Sequence, residues 1–406
     1  MFDLLIRNAL VADPLSGFMG KSDIAVEDGL IAEVARTLPD DSARETIEGS
    51  DLILQPGIVD ARLSLSSNPF DPLAAVKSGT TTLITGTSSA ECLLDNLAQS
   101  CCGLTVAILK TLLPGKNISC PNPSSQEIEA FIEDALNEGA FGIKLLGAHF
   151  PLSPEAAERC FSLASKLDAW ISVQPGTTNS SIAPFEKLEE VIRLAHGIPF
   201  LLTHLENFCD HPNRTAELLE AHPEIITEIC FEEPDGSLLS RAFAGKKRGN
   251  GSFLIDFMSS QTSLADGASV LAYGRALMDR GILTPVEFAR CTALLPARAL
   301  GFAAKGFIAP GADADIVLYD PKTGKAVHSF VCGKPLLRNG VVVGEGGIVL
   351  TTAEGEDAVE RHGLCAHAIP GGVPKIDRNA ISGPAPGCNR ALSPISAQTP
   401  RAGIKT

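Results

Sequence analysis

Three polar side chains end otherwise apolar runs: Lys144 in FGIKLL, His204 in PFLLTHLE and Asp256 in SFLIDF. Each type can do chemistry. An imidazole binds a divalent metal or moves a proton near neutral pH. A carboxylate can act as general base on water. An amine inside a strand is costly to bury unless it is modified or paired. Singly, each is also an ordinary core residue, and what raises the three above that is their repeated position at a strand end.

The elements that would position them form a series. Apolar strands are expected at Ile58–Leu63, Thr81–Thr85, Thr105–Leu109, Gly142–Leu146, Ala169–Gln174, Phe200–His204, Ile225–Phe231 and Phe253–Asp256, with amphipathic helices between them. Helix starts carry their own signals: Ser124 with Glu127, Ser153 before Pro154, and Thr284-Pro285 with Glu287. Eight strand-then-helix units over residues 56–306 have the period of a TIM (β/α)8 barrel, an α/β fold whose functional side chains lie at the C-terminal strand ends. Those ends supply Arg62, Ser64, Lys144, Gln174, His204 and Asp256. His149, in the loop after the fourth strand, is a possible contributor from the rim, and Glu232-Glu233 form an acidic pair after the seventh.

Short strands and turns flank the barrel on both sides, with Asp28-Gly29 as a hairpin signal. Residues 1–55 and 307–350 are therefore expected to form one small composite β-sandwich domain. From Arg361 the texture changes to Pro and Gly with six basic residues against one acid, and 361–406 reads as a flexible tail dispensable for folding.

Composition excludes several classes. The 406 residues carry a formal charge of −15, so a phosphate backbone would be repelled and no nucleic-acid partner is expected. No window approaches the ~18 apolar residues of a membrane span. The opening MFDLLIRNALVADP has Asp3 and no basic start, so a secretory signal is not expected. Eleven cysteines without CxxC spacing suit reduced thiols in the cytoplasm.

The chain resembles the amidohydrolase superfamily in its dihydroorotase and hydantoinase branch, with some likeness to D-aminoacylases. Four segments within residues 1–345 carry the resemblance: FDLLIRNALVADPLSG with DIAVEDGLIAEV, LQPGIVDARLSL, GIKLL, and LLPARALGFAAKGFIAPGADADIVLYDP. It implies a metal site in which Lys144 would be the carboxylated bridging lysine, with His204 a metal ligand and Asp256 a general base. It also implies losses. Arg62 and Ser64 stand where the family has two histidines on strand one, and Gln174 where it has one on strand five. Ser88 replaces the cysteine used by D-aminoacylases. Arg cannot ligate a metal because it stays protonated.

Three functions follow from that pattern. The first is a non-catalytic, pseudo-dihydroorotase-like subunit of an assembly, such as one with a transcarbamoylase-like partner, in a homo- or hetero-oligomer. The second is a hydrolase of an amide or cyclic amide that uses no cofactor or one divalent metal, zinc by preference, near Lys144 and His204, with Gln174 as a weak further ligand. The third is a binder of an anionic small molecule in the old pocket, with Arg62 as the clamp. Separately, where the metal is lost, the Arg62 guanidinium is expected to stand in for its charge and pair with Asp256.

Overall fold

The computed structural model describes residues 1–39, 42–61, 72–147, 151–175, 184–231, 242–260, 269–372, 374–376 and 378. Arg62, Ser64, His149 and Glu232-Glu233 lie outside the described residues.

The N-terminal strands are β1 (Phe2–Asp13), β2 (Phe18–Glu27), β3 (Leu30–Ala35), β4 (Ala43–Glu48) and β5 (Ile53–Pro56). Asp28 and Gly29 join β2 to β3 with φ of 51° and 79°, the two left-handed residues of a tight hairpin turn. The barrel follows: β6 (Ile58–Asp60), β7 (Thr80–Thr87), β8 (Thr105–Thr111), β9 (Gly142–Leu145), β10 (Trp170–Val173), β11 (Leu201–Leu202), β12 (Ile226–Phe231) and β13 (Phe257–Ser260). Then come β14 (Ile316–Asp320), β15 (Lys325–Val331), β16 (Lys334–Arg338), β17 (Val341–Val342), β18 (Ile348–Thr351) and β19 (Cys365–Ala368).

Both ends of the chain build one sheet in the order β17-β16-β15-β14-β5-β1-β2-β3, with β4 on β1. Its seam is antiparallel pairing of β5 with β14, Ile53 opposite Tyr319 and Pro56 opposite Ile316. Alternation along β14 divides its side chains. Ile316 and Leu318 join the core of this sheet with Leu4, Ile6 and Phe330, whereas Val317 and Tyr319 pack with the barrel's outer layer.

The barrel is parallel from β6 through β13. It is nearly closed, and β6 meets β13 through side chains: the Ser260 N–H donates to Asp60 Oδ1 at 3.0 Å, and the Ala61 N–H to Ser259 Oγ at 3.2 Å. Close strand approach needs Gly142, where any Cβ would lie 2.1 Å from the Trp170 carbonyl oxygen. The helices start where capping chemistry places them: Ser124, Ser153 and Thr284 each accept an N–H of the following turn, and Thr284 with Glu287 completes a capping box.

Two features depart from the sequence expectation. The eighth strand is Phe257–Ser260, so Asp256 stands at its start rather than its end. The C-terminal segment is also structured well past Arg361. β18 pairs with β8 at Thr105–Ala107, while β9 pairs with β8 at Leu109–Thr111, so the two share one edge of β8. A helix at Glu356–Arg361 leads to β19, which lies parallel to β18. Leu350 and Ile369 thereby enter the barrel's lower core with Phe141, Trp170, Leu201, Ile226 and Phe257. Apolar partners, rather than Pro and Gly content, decide the fate of this stretch. Residues 348–372, with 374–376 and 378, form part of the barrel floor, not a loose tail and not part of the sandwich sheet.

Candidate active site

Strand alternation puts Lys144 of β9 and Glu228 of β12 on the inward face of the barrel. Both are essentially sealed from solvent, at 0% and 1% exposure. Burial draws the Lys144 amine down to about 7, against the opposing pull of Glu228 and Cys230. Burial pushes the Glu228 carboxyl up to about 7, although His204 favours its charged form.

His204 follows β11 with a left-handed backbone, φ 61°. That turn brings its N–H to Glu228 Oε2 at 2.8 Å and its Nδ1 to Glu206 Oε1 at 2.9 Å. Burial would lower the imidazole's pKa, but Glu206 and Glu228 prevail and hold it raised. The other oxygen of Glu206, Oε2, accepts the Cys230 N–H at 2.9 Å. Glu206 thus ties the end of β11 to the end of β12. The Cys230 thiol is buried and its pKa stands well above the usual range, because burial and then Glu228 and Glu206 oppose a thiolate.

The ligand atoms of His204, Glu206 and Cys230 lie within 4.8 Å of one another. Imidazole, carboxylate and thiolate are the donor types zinc takes, and three protein ligands leave a fourth position for water or substrate. The donor set therefore fits one divalent metal. Deprotonating Cys230 would be part of binding it.

The other sequence candidates fall as follows. Lys144 and His204 reach this cluster. Gln174 lies just beyond β10, its N–H held by the Leu145 carbonyl at 2.9 Å. Ser88 follows β7 and accepts a bond from Lys116 Nζ at 3.0 Å. Asp256 does not reach the site. It lies at the opposite, N-terminal end, where its Oδ2 accepts the Thr227 N–H at 3.0 Å and the Thr227 carbonyl accepts its own N–H at 2.9 Å. Its guanidinium partner is Arg378, whose Nε is 2.7 Å from Oδ1 and whose Nη2 bonds Oδ2. Arg62, the partner expected from sequence, lies outside the described residues; the described guanidinium on Asp256 comes from the C-terminal segment.

Sequence reasoning passed over Glu206, Glu228 and Cys230. A signal existed: Glu228 and Cys230 are two residues apart in ITEICF, hence on one face of a strand, and an acid within an apolar strand needs a reason.

No family model matches the sequence. A dihydroorotase of Elusimicrobium minutum is 22% identical, over 82% of this chain and 93% of its own. An L-hydantoinase (dihydropyrimidinase) from Arthrobacter aurescens shares the fold at a TM-score of 0.66 and 17% identity, covering 86% of this chain and 99% of its own. A chain of the formyltransferase/hydrolase complex of Methylorubrum extorquens, solved with methylofuran, superposes at 0.64 with 14% identity, covering 88% and 93%. Sequence and fold together support the amidohydrolase superfamily, in its dihydroorotase- and hydantoinase-like branch.

Proposed function

We propose that this amidohydrolase-superfamily chain hydrolyses the C–N bond of a small amide or cyclic amide, using one divalent metal held by His204, Glu206 and Cys230. The carrying observation is the convergence of those three ligand atoms within 4.8 Å at the C-terminal ends of β11 and β12. A divalent ion at such a site polarises a carbonyl and lowers the pKa of bound water. Glu206 orients the imidazole of His204 through Nδ1. Glu228, raised to about 7, can hold a proton at its carboxylate and release it, which is the work of a general acid–base group near neutral pH. Glu228 takes the role that the sequence alone suggested for Asp256. The similarity to a dihydroorotase and to the hydantoinase fold supports a cyclic amide as the substrate class.

The test is metal analysis of the purified full-length chain, followed by hydrolysis assays on dihydroorotate, hydantoins and N-acyl amino acids. One equivalent of metal with turnover of any of these supports the reading. Absence of both overturns it.

A second reading, a non-catalytic subunit of an assembly, is favoured by Arg62, Ser64 and Gln174 at the family's ligand positions. The likeness to a chain of a multi-subunit complex supports it too. Co-purification of a stoichiometric enzyme partner, such as a transcarbamoylase, with a metal-free chain is its expected result.

A further inference from the structure

A cavity of about 320 Å³ opens at the barrel end where the strands begin, opposite the candidate active site. Arg290, Arg378, Ser252 and Phe253 are among the residues that line it. Its polar wall is the stretch Asn250–Phe253. Arg290 and Leu295, which bracket a π-helical turn, face it from another side.

The charge there is unbalanced. Arg378 is neutralised by Asp256 and also donates to the Pro223 and Ile225 carbonyls at 2.6 and 2.8 Å. Arg248 donates to the carbonyls of Leu219 and Leu254, and Asp256 and then Glu220 act on it from a distance. Burial and the nearby Arg378 charge lower its pKa, an independent sign of crowded cations. Arg290 has no carboxylate partner among the described residues. Its Nη2 donates to the Pro14 carbonyl at 3.0 Å, and its Nε has no hydrogen-bond partner among the described residues. Around the cavity, Asp256 is the sole carboxylate bonded to any of these three guanidiniums among the described residues. The protein as a whole carries −15, which makes a local cationic excess unusual.

From this geometry we propose that the cavity is a binding site for a small oxyanion, the phosphate or carboxylate group of a metabolite, with Arg290 as its principal contact; the Ser252 hydroxyl, in the same lining, donates to Asn250 Oδ1 at 2.7 Å. A guanidinium presents parallel N–H groups that match two oxygens of either anion. The cavity has room for a ligand rather than for the anion alone.

The experiment uses the full chain and two probes, inorganic phosphate and malonate, read by calorimetry and by the rise in melting temperature at constant ionic strength. At least one probe binds wild type with one site. Arg290→Gln weakens that binding about tenfold or more, the scale of one charge-assisted hydrogen bond. Ser252→Asp, which puts a carboxylate into the cavity, removes the probe-dependent rise and keeps the fold testable if Arg290→Gln does not. Preference for phosphate or malonate identifies the group. Absence of binding by both probes, or unchanged binding in either variant, overturns the site. Neither variant touches the metal cluster, so failure here leaves the catalytic reading standing.

Discussion

Arg378 closes its guanidinium on Asp256, a residue 122 positions earlier, and completes the grip with the carbonyls of Pro223 and Ile225. Asp256 is 0% exposed and the Arg378 side chain 7%. Removing one partner of such a pair leaves a buried charge and costs about 3–5 kcal/mol. Arg378→Ala should therefore lower the urea midpoint sharply, and Asp256→Asn added to it should restore part of the loss. A truncation after residue 360, which also removes β19, should be at least as damaging. A midpoint unchanged by either would show that the barrel floor does not need this segment.

The metal site makes a stoichiometric prediction. His204→Ala and Cys230→Ser should each reduce bound zinc well below one equivalent while far-ultraviolet dichroism stays native. Wild-type Cys230 should resist alkylation whether metal is bound or removed, because its thiol is buried. Retention of full zinc in both variants would place the metal elsewhere.

Glu228 supports the charged form of Lys144 in a sealed space. Glu228→Gln should remove that support and destabilise the fold. The double variant Lys144→Met, Glu228→Gln should be more stable than Glu228→Gln alone, as expected for a coupled buried pair. Additive losses in chemical denaturation would refute the coupling.

His328, in β15 of the sandwich sheet, is buried at 6% exposure and its pKa is lowered, first by burial and then by Arg338. Below the unfolded value near 6.5 the unfolded chain takes up a proton that the folded one resists, so this group's contribution to stability falls as pH drops through that range. His328→Leu should flatten the acid side of the stability profile below about pH 6.5. A profile as steep as wild type would assign the acid sensitivity to another group.

Much of the architecture was legible because periodicity and caps are local. The strand–helix series, the hairpin at Asp28-Gly29 and the capping box at Thr284 depend on neighbours in sequence. Lys144 and His204 were legible for a related reason: a polar residue ending an apolar run is conspicuous. Asp256 shows where that rule fails. A polar residue beside an apolar run marks either its start or its end, and only the continuation FMSS, paired with β12, decides which. Arg378 could not be inferred at all, since its partner is remote and its surroundings read as Pro-rich linker. Glu206 was hidden because a left-handed residue at His204 redirects the chain, and backbone handedness at a histidine has no local sequence mark.

The shared edge of β8 has a consequence for synthesis. A chain emerges N-terminus first, so β8 is made long before β18, the strand that covers the first half of its edge. Until the ribosome has released Arg378, that edge and the Asp256 carboxylate lack their final partners. The barrel should thus be completed only after residue 378 has emerged, with the slow kinetics of remote pairing. A premature stop anywhere in 348–378 would yield a nascent barrel with an open, aggregation-prone edge rather than a slightly shorter protein.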